Sequence, residues 1–321
     1  MTAPSTTRQH RYFVVGAGGL LGGAVVAQLR RRPGAEIVPA VVPWHDEDAS
    51  LDALTEQFRS VASAPGAWSL VWCAGAGVVA SGPAALEQEH RVVETFLARA
   101  ADHLREEAGR GQDGTAFVAS SAGGVYAGSG EPPFDEGTRP EPLAPYGWNK
   151  LRVEQAFSDW AEDTGVPVVV GRFANIYGPG QDLGKAQGLV SQLCLAHLEG
   201  RPSSIYVPMD TIRDYLFVDD AASLTLDALD RLSTMPAGTV VTKIMASGLG
   251  ITIGALIAEL QRVVKRRPRI VWGSHASASR QALDLRFRSI VWAELDVRML
   301  TPVAAGIHQT VLSLQEGRRS S

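Results

Sequence analysis

Five short apolar runs, at residues 12–15, 37–42, 70–74, 116–119 and 166–170, are rich in β-branched residues and do not alternate with polar positions. Strands buried on both faces of a parallel sheet read this way, because helices cover each face. Between the runs, apolar residues recur at helical spacing over 20–31, 51–62, 84–104 and 146–163. Strand and helix therefore alternate, and that order predicts an α/β protein with a doubly wound parallel sheet. The distance from Trp44 to the strand at Leu70 is too short for a full extra strand, so this half of the sheet is expected to be trimmed. Residues 106–114 read as an exposed loop. After Gly178-Pro179-Gly180 the rhythm changes to a helix, a short strand around 205–207, a strand at 215–218, a helix at 221–232, a strand at 240–245 and a helix at 253–265. This predicts a smaller C-terminal α/β region wrapped onto the sheet, with a shared core. The expected division is a first domain at 1–184, to which 213–247 returns, and a second region formed by 185–212 and 248–321.

Composition narrows the function without choosing it. With 321 residues and 45% hydrophobic content the chain can bury a large core. A net charge of −4, with short basic groups only at Arg30–Arg32 and Lys265–Arg267, gives no electrostatic footprint for nucleic acid. Cys73 lies in an apolar run and Cys194 in a helical pattern, as reduced, buried thiols would. The first eleven residues are polar and Ser/Thr-rich, without the apolar stretch of a signal peptide or membrane anchor. A cytoplasmic protein that does not enter membranes is the expectation. None of the seven histidines forms a metal-ligand spacing with another His, Cys or acid, so no metal site is expected.

The first candidate chemistry lies directly after the first strand, where Gly16, Gly19 and Gly22 recur every third residue and open the first helix. Glycines there allow a tight turn and close backbone approach to a pyrophosphate, while the helix N-terminus offers free N–H groups to the anion. Dinucleotide binding follows as the expectation. A second small-residue strand end, Cys73-Ala74-Gly75-Ala76-Gly77, leaves room for adenosine where what was expected to be the fourth strand meets the cofactor. The acid expected about 20 residues beyond the glycine turn, which would bind ribose hydroxyls and repel a 2′-phosphate, is missing from Val41-Val42-Pro43-Trp44-His45-Asp46. Asp46 and Asp48 fall later and read as caps of the next helix. These residues leave both NAD and NADP open as the cofactor.

Tyr146 and Lys150 supply the second candidate. Four-residue spacing on a helix places phenol and ammonium side by side, and a fixed positive charge favours the phenolate. Such a pair can carry a proton in either direction. About 25 residues earlier the strand at 116–119 ends in Ser120-Ser121-Ala122-Gly123-Gly124-Val125-Tyr126, offering a hydroxyl to polarise a substrate oxygen.

These segments, with Pro133-Phe134-Asp135-Glu136, Arg172-Phe173-Ala174-Asn175-Ile176-Tyr177-Gly178-Pro179-Gly180, Arg213-Asp214-Tyr215-Leu216-Phe217-Val218-Asp219-Asp220 and the Ser247-Gly248 turn, follow one another in the order seen in a known family. The chain resembles the extended short-chain dehydrogenases/reductases, in the NAD-dependent epimerase/dehydratase branch that acts on nucleotide-sugars. The resemblance covers most of the chain. It implies a Rossmann doubly wound sheet with a smaller C-terminal α/β substrate-binding region. It implies that Tyr146, Lys150 and a serine are catalytic, Ser121 being favoured and Ser120 kept open. It places Gly16, Gly19, Leu20, Leu21, Gly22, Cys73, Ala74, Gly75, Tyr146, Lys150 and Arg172 at the cofactor, and Ser121, Asn175 and Arg213 at a nucleotide-sugar substrate. Family members also commonly pair through two helices, here 84–104 and 146–163, so a homodimer is expected.

The loop after the serine limits the reaction. Family dehydratases carry an Asp-Glu pair there, since eliminating water needs a separate acid and base. Here the matching positions are Ala122, Gly123 and Gly124, which argues against a 4,6-dehydratase. Epimerisation at hexose carbon 4 is the first expectation and NADPH-dependent reduction of a keto-sugar the second. A non-catalytic dinucleotide-sensing protein is the alternative of another class.

Overall fold

The computed structural model describes residues 9–75, 82–107, 113–184, 188–273 and 282–319. The chain runs β1 (His10–Val15), α1 (Leu20–Leu29), β2 (Ala35–Pro39), α2 (Glu47–Ala62), β3 (Ala67–Trp72), α3 (Pro83–Glu106), β4 (Gly114–Ser121), α4 (Ala122–Val125), α5 (Pro145–Thr164) and β5 (Val168–Phe173). It continues with β6 (Asn175–Tyr177), α6 (Leu189–Glu199), β7 (Ser203–Ile205), β8 (Ile212–Phe217), α7 (Val218–Leu232), β9 (Val240–Met245), β10 (Gly250–Thr252), α8 (Ile253–Val264), β11 (Ile270–Trp272), β12 (Asp284–Leu285) and α9 (Val303–Arg319). Local chemistry explains several boundaries. Asp46 caps α2 by accepting the Ala49 N–H at 3.0 Å, and prolines stand at the first turns of α3 and α5. Gly165, at φ 75°, closes α5 in the left-handed conformation.

Six strands form one parallel sheet in the order β2-β1-β3-β4-β5-β9. Val14 lies opposite Pro39 on one side and Val71 on the other, so the order reverses between β1 and β3. The crevice beyond the carboxyl ends of those two strands is where open α/β sheets bind ligands. β2 is the edge, with only α2 before β3, which is the trimmed half-sheet that the sequence spacing predicts. The strand ending before Cys73 is therefore third in the chain, not fourth.

Each face of the sheet has its own apolar layer. Leu54, Phe58, Phe96, Val153 and Phe157 pack α2, α3 and α5 on one face, and Val25, Leu29, Leu224 and Leu229 pack α1 and α7 on the other. A third cluster, with Cys194, Phe217, Ile253, Leu256 and Ile307, holds the C-terminal elements together, and Tyr177 and Leu20 join it to the main body. β6, β10 and β12 gather around β8, and β7 pairs with β11. Among the described residues no helix is long and apolar enough to cross a membrane.

A buried lysine and a half-buried glutamate tie the last strand of the sheet to the C-terminal segment. Lys243 on β9 is fully buried and donates to Ser289 Oγ at 2.8 Å, the Val291 carbonyl at 2.8 Å and Asp296 Oδ2 at 2.7 Å. Glu136 accepts the Ile244 N–H and the Ser289 hydroxyl on Oε1 and the Ile290 N–H on Oε2. Glu136→Ala leaves the Ile244 N–H without its acceptor, while the Ser289 hydroxyl keeps the Val291 carbonyl at 3.3 Å, and is expected to cost about 2 kcal/mol in denaturant unfolding. A loss below about 0.5 kcal/mol, the range of ordinary surface changes, would show that other contacts hold this segment.

Candidate active site

The turn after β1 is built by close backbone approach. Gly16 has φ 87°, and a Cβ there would lie 2.6 Å from the Ala74 nitrogen, so the ends of β1 and β3 meet at a contact no larger residue allows. A Cβ on Gly22 would collide with the Gly16 carbonyl, which seats the first turn of α1 against the strand end. Gly19 is the N-cap of α1 without a side-chain cap, and among the described residues a Cβ on Gly18 meets nothing within 4 Å. The N-terminus of α1 thus carries no side chain of its own over its free N–H groups, the arrangement that receives a pyrophosphate. Leu21 is buried and Leu20 half-buried, their side chains packing into two of the apolar clusters. Cys73 donates its N–H to the Val15 carbonyl at 2.8 Å, and burial pushes its thiol up to about 12. Ala76 and Gly77 lie outside the described residues.

At the end of β2 the chain has no acid. Both backbone groups of Val41 are taken by the Gln57 carboxamide, at 3.0 and 2.9 Å, and the Val41 side chain is exposed. An uncharged, exposed residue thus follows β2.

Tyr146 and Lys150 open α5, and Lys150 Nζ lies 5.7 Å from the centre of the Tyr146 ring. Lys150 is buried, with its ammonium 3.0 Å from the point where a Cβ on Gly75 would stand. The ammonium therefore reaches the end of β3, beside the glycine turn. Burial works against its charge, but Tyr146 and Glu89 beside it outweigh that and hold the Lys150 pKa above its ordinary value. Glu89, on α3, pairs with it at 3.2 Å.

Neighbouring residues on a strand point to opposite faces, and this separates the two serines. A methyl placed on Gly124 would lie 2.9 Å from Tyr146 Cε1 and 3.3 Å from Ser121 Oγ, so the Ser121 hydroxyl and the phenol ring flank one small space. Ser121 also caps α4 by accepting the Gly124 N–H at 3.1 Å. Ser120 points away and donates to Glu154 Oε1 at 2.5 Å.

Glu154 is the hub of a buried network. Arg172 donates to it from Nε at 3.1 and 3.2 Å and from Nη2 at 2.6 Å, and from Nη1 to the Tyr126 hydroxyl at 2.6 Å. Arg172, expected at the cofactor, thus has its guanidinium engaged beneath the site. Sequence reasoning passed over Glu154 and Glu89. Glu154 had a readable signal, since it continues the Tyr146, Lys150 spacing by four further residues; Glu89 had none.

The expected substrate residues lie on the C-terminal side. Asn175 is exposed and donates from Nδ2 to the Asp214 carbonyl at 2.9 Å. Arg213 is buried and donates to the Ile212 carbonyl at 2.8 Å; burial lowers its pKa, with Tyr215 and Asp284 acting against that shift. Asp214 accepts the Ser247 N–H at 2.9 Å and the Ser247 hydroxyl at 2.8 Å on Oδ1, fixing the Ser247-Gly248 turn.

A doubly wound parallel sheet with a glycine turn at its switch point and a Tyr/Lys pair opening the helix before β5 defines the short-chain dehydrogenase/reductase class. The model of the NAD dependent epimerase/dehydratase family matches residues 12–242, from β1 into β9, and the chain belongs to that family, of the extended type. The uncharacterized UDP-glucose epimerase YtcB of Bacillus subtilis is 32% identical over 104 residues, 32% of this chain and 32% of that protein. The aligned stretches span only about a third of the length of the first curated relatives. Among solved structures, the UDP-glucose 4-epimerase of Thermotoga maritima with UDP-glucose has a TM-score of 0.78 at 19% identity, covering 96% of this chain and 99% of that one. RMD from Pseudomonas aeruginosa complexed with NADPH has a TM-score of 0.75 at 20% identity, covering 97% and 98%. At such identity these two structures are alike in fold.

Asp214 makes this half of the site sensitive to pH. Burial pushes its carboxyl up to about 6, although the hydrogen bonds of the 247–249 turn favour the charged form. The folded value lies above the unfolded one of about 4, so the stabilisation is complete below about pH 4 and is lost as pH rises through about 6. Stability should fall across that window by roughly 3 kcal/mol from this group. Asp214→Asn keeps an acceptor for Ser247 and should flatten the fall in unfolding measured from pH 4 to 7; parallel curves for the two proteins would contradict it.

Proposed function

We propose that the protein is an NAD-dependent nucleotide-sugar epimerase acting at hexose carbon 4. One observation carries the proposal: Ser121 and Tyr146 flank a single small space, while Lys150 joins that space to the β1–β3 crevice through Gly75. The glycine turn at Gly16, Gly19 and Gly22 fits a dinucleotide, with its pyrophosphate at the α1 N-terminus. Bound there, NAD supplies the acceptor and donor of hydride. Lys150 binds the nicotinamide ribose and stabilises the phenolate. Tyr146 takes the hydroxyl proton as the sugar carbon is oxidised to a ketone, and gives it back when that carbon is reduced from its other face. Ser121 donates a hydrogen bond to the reacting oxygen throughout.

Chemistry at the neighbouring positions supports the choice. Ala122, Gly123 and Gly124 carry no acid or base, so Tyr146 acts as the main proton carrier, which suits hydride transfer and not dehydration. A UDP-hexose is the first substrate class to examine, since the Thermotoga maritima structure of the same fold contains UDP-glucose. Asn175 and Arg213, on neighbouring strands, are the proposed contacts to its diphosphate. A second reading, reduction of a keto-sugar by NADPH, is favoured by Val41, which sets no charge against a 2′-phosphate. The apolar residues of α3 and α5 are spent on the core, so the proposed homodimer would use their outer surface, where Trp148 is 56% exposed.

A sugar nucleotide deuterated at carbon 4 separates the reactions. The epimerase returns the deuterium to the product without net change in cofactor; with a 4-keto sugar nucleotide in its place, stoichiometric loss of NADPH to give the reduced sugar would establish the reductase. Ser121→Ala should lower turnover about 100-fold, while Ser120→Ala, which removes a bond to Glu154, should lower stability more than turnover. The reverse pattern would assign the catalytic hydroxyl to Ser120.

A further inference from the structure

Glu89 places a second carboxylate in a site whose reaction needs none. Its Oε1 lies 3.2 Å from Lys150 Nζ, and the two side chains are only 10% and 7% exposed. Both groups reach the end of β3: a Cβ on Gly75 would stand 3.0 Å from the ammonium and 3.6 Å from the carboxylate. The other groups facing Lys150 can be named by element. From α5 come Tyr146 one turn before and Glu154 one turn after, the latter matched by Arg172 of β5. Ser120 of β4 is spent on Glu154, and the Tyr126 phenol at the end of α4 is held by Arg172, so neither is set on the ammonium. His90, beside Glu89 on α3, is engaged with Glu94 at 3.0 Å. Glu89 is thus the carboxylate set directly on the ammonium.

We propose that Glu89 is a positioning residue: it fixes the Lys150 ammonium against the end of β3 and offsets part of the positive charge that the ammonium presents to Tyr146. This rests on the reading of Tyr146 as the proton carrier. An ammonium beside a phenol favours the phenolate, and more so in a protein site than in water. A carboxylate in contact with that ammonium cancels part of the effect. The phenol then stays able both to take and to give a proton, which a reaction that oxidises and re-reduces one carbon requires.

Phenolate absorbance in the ultraviolet tests this without turnover. Of the six tyrosines, Tyr146 is isolated by subtracting the titration of the matching Tyr146→Phe protein. Glu89→Gln should move the Tyr146 transition about one unit lower in pH. Glu89→Asp, which keeps the interior charge and so the fold but draws the carboxylate back by one methylene, should move it the same way by a smaller step. Titrations that superimpose on the wild type, or that move upward, overturn the proposal. Turnover separates the two readings: if Tyr146→Phe remains active while the titration moves as expected, the proton-carrier reading fails and the electrostatic link stands. If Tyr146→Phe is inactive and the titration does not move, the link alone fails.

Discussion

The ion pair between Glu154 and Arg172 is the constraint on which the site depends. One carboxylate gathers a hydroxyl from β4, a guanidinium from β5 and, through that guanidinium, the Tyr126 phenol at the end of α4. Both charges are more than nine-tenths buried. Removing one partner of such a pair leaves the other uncompensated in the interior, a loss of about 3–5 kcal/mol. The network therefore fixes α5 against the sheet at the turn that follows Lys150, and so sets where Tyr146 and Lys150 stand relative to Ser121.

The opposite side of the site is set by the absence of side chains. Gly16 and Ala74 touch through backbone, Gly75 leaves room for the Lys150 ammonium, and Gly124 leaves room for the Tyr146 ring. Charged residues hold the reacting groups from below, and glycines keep the space above them open. Each group then meets a cofactor or substrate from a fixed position, the condition under which proximity and electrostatic preorganisation speed a reaction.

Much of this was legible in the chain. The unalternating runs of β1, β3, β4 and β5 could only be strands covered on both faces, and the spacing before Leu70 left no room for an outer strand beyond β2. The glycine turn and the Tyr146, Lys150 spacing are local patterns, readable because their geometry is set within a few residues. β6, β10, β11 and β12 are two or three residues long and carry no periodicity, β7 lies two residues before the strand expected around 205–207, and α9 went unread. Glu89 with Lys150, 61 residues apart, and Asp214 with Ser247, 33 apart, meet only through the tertiary fold. The directions of Ser120 and Ser121 follow from strand alternation, but which face looks toward Tyr146 depends on how α5 packs.

Rapid mixing of the NAD-loaded protein with a UDP-hexose, followed by the absorbance of reduced nicotinamide in wild type and Tyr146→Phe, tests the central claim most directly. Wild type should show reduced nicotinamide that appears and decays without net consumption of cofactor, and Tyr146→Phe should bind the sugar nucleotide yet form it at least about 100-fold more slowly. Equal rates in the two proteins would contradict the account, because the proton would then be carried by some other group.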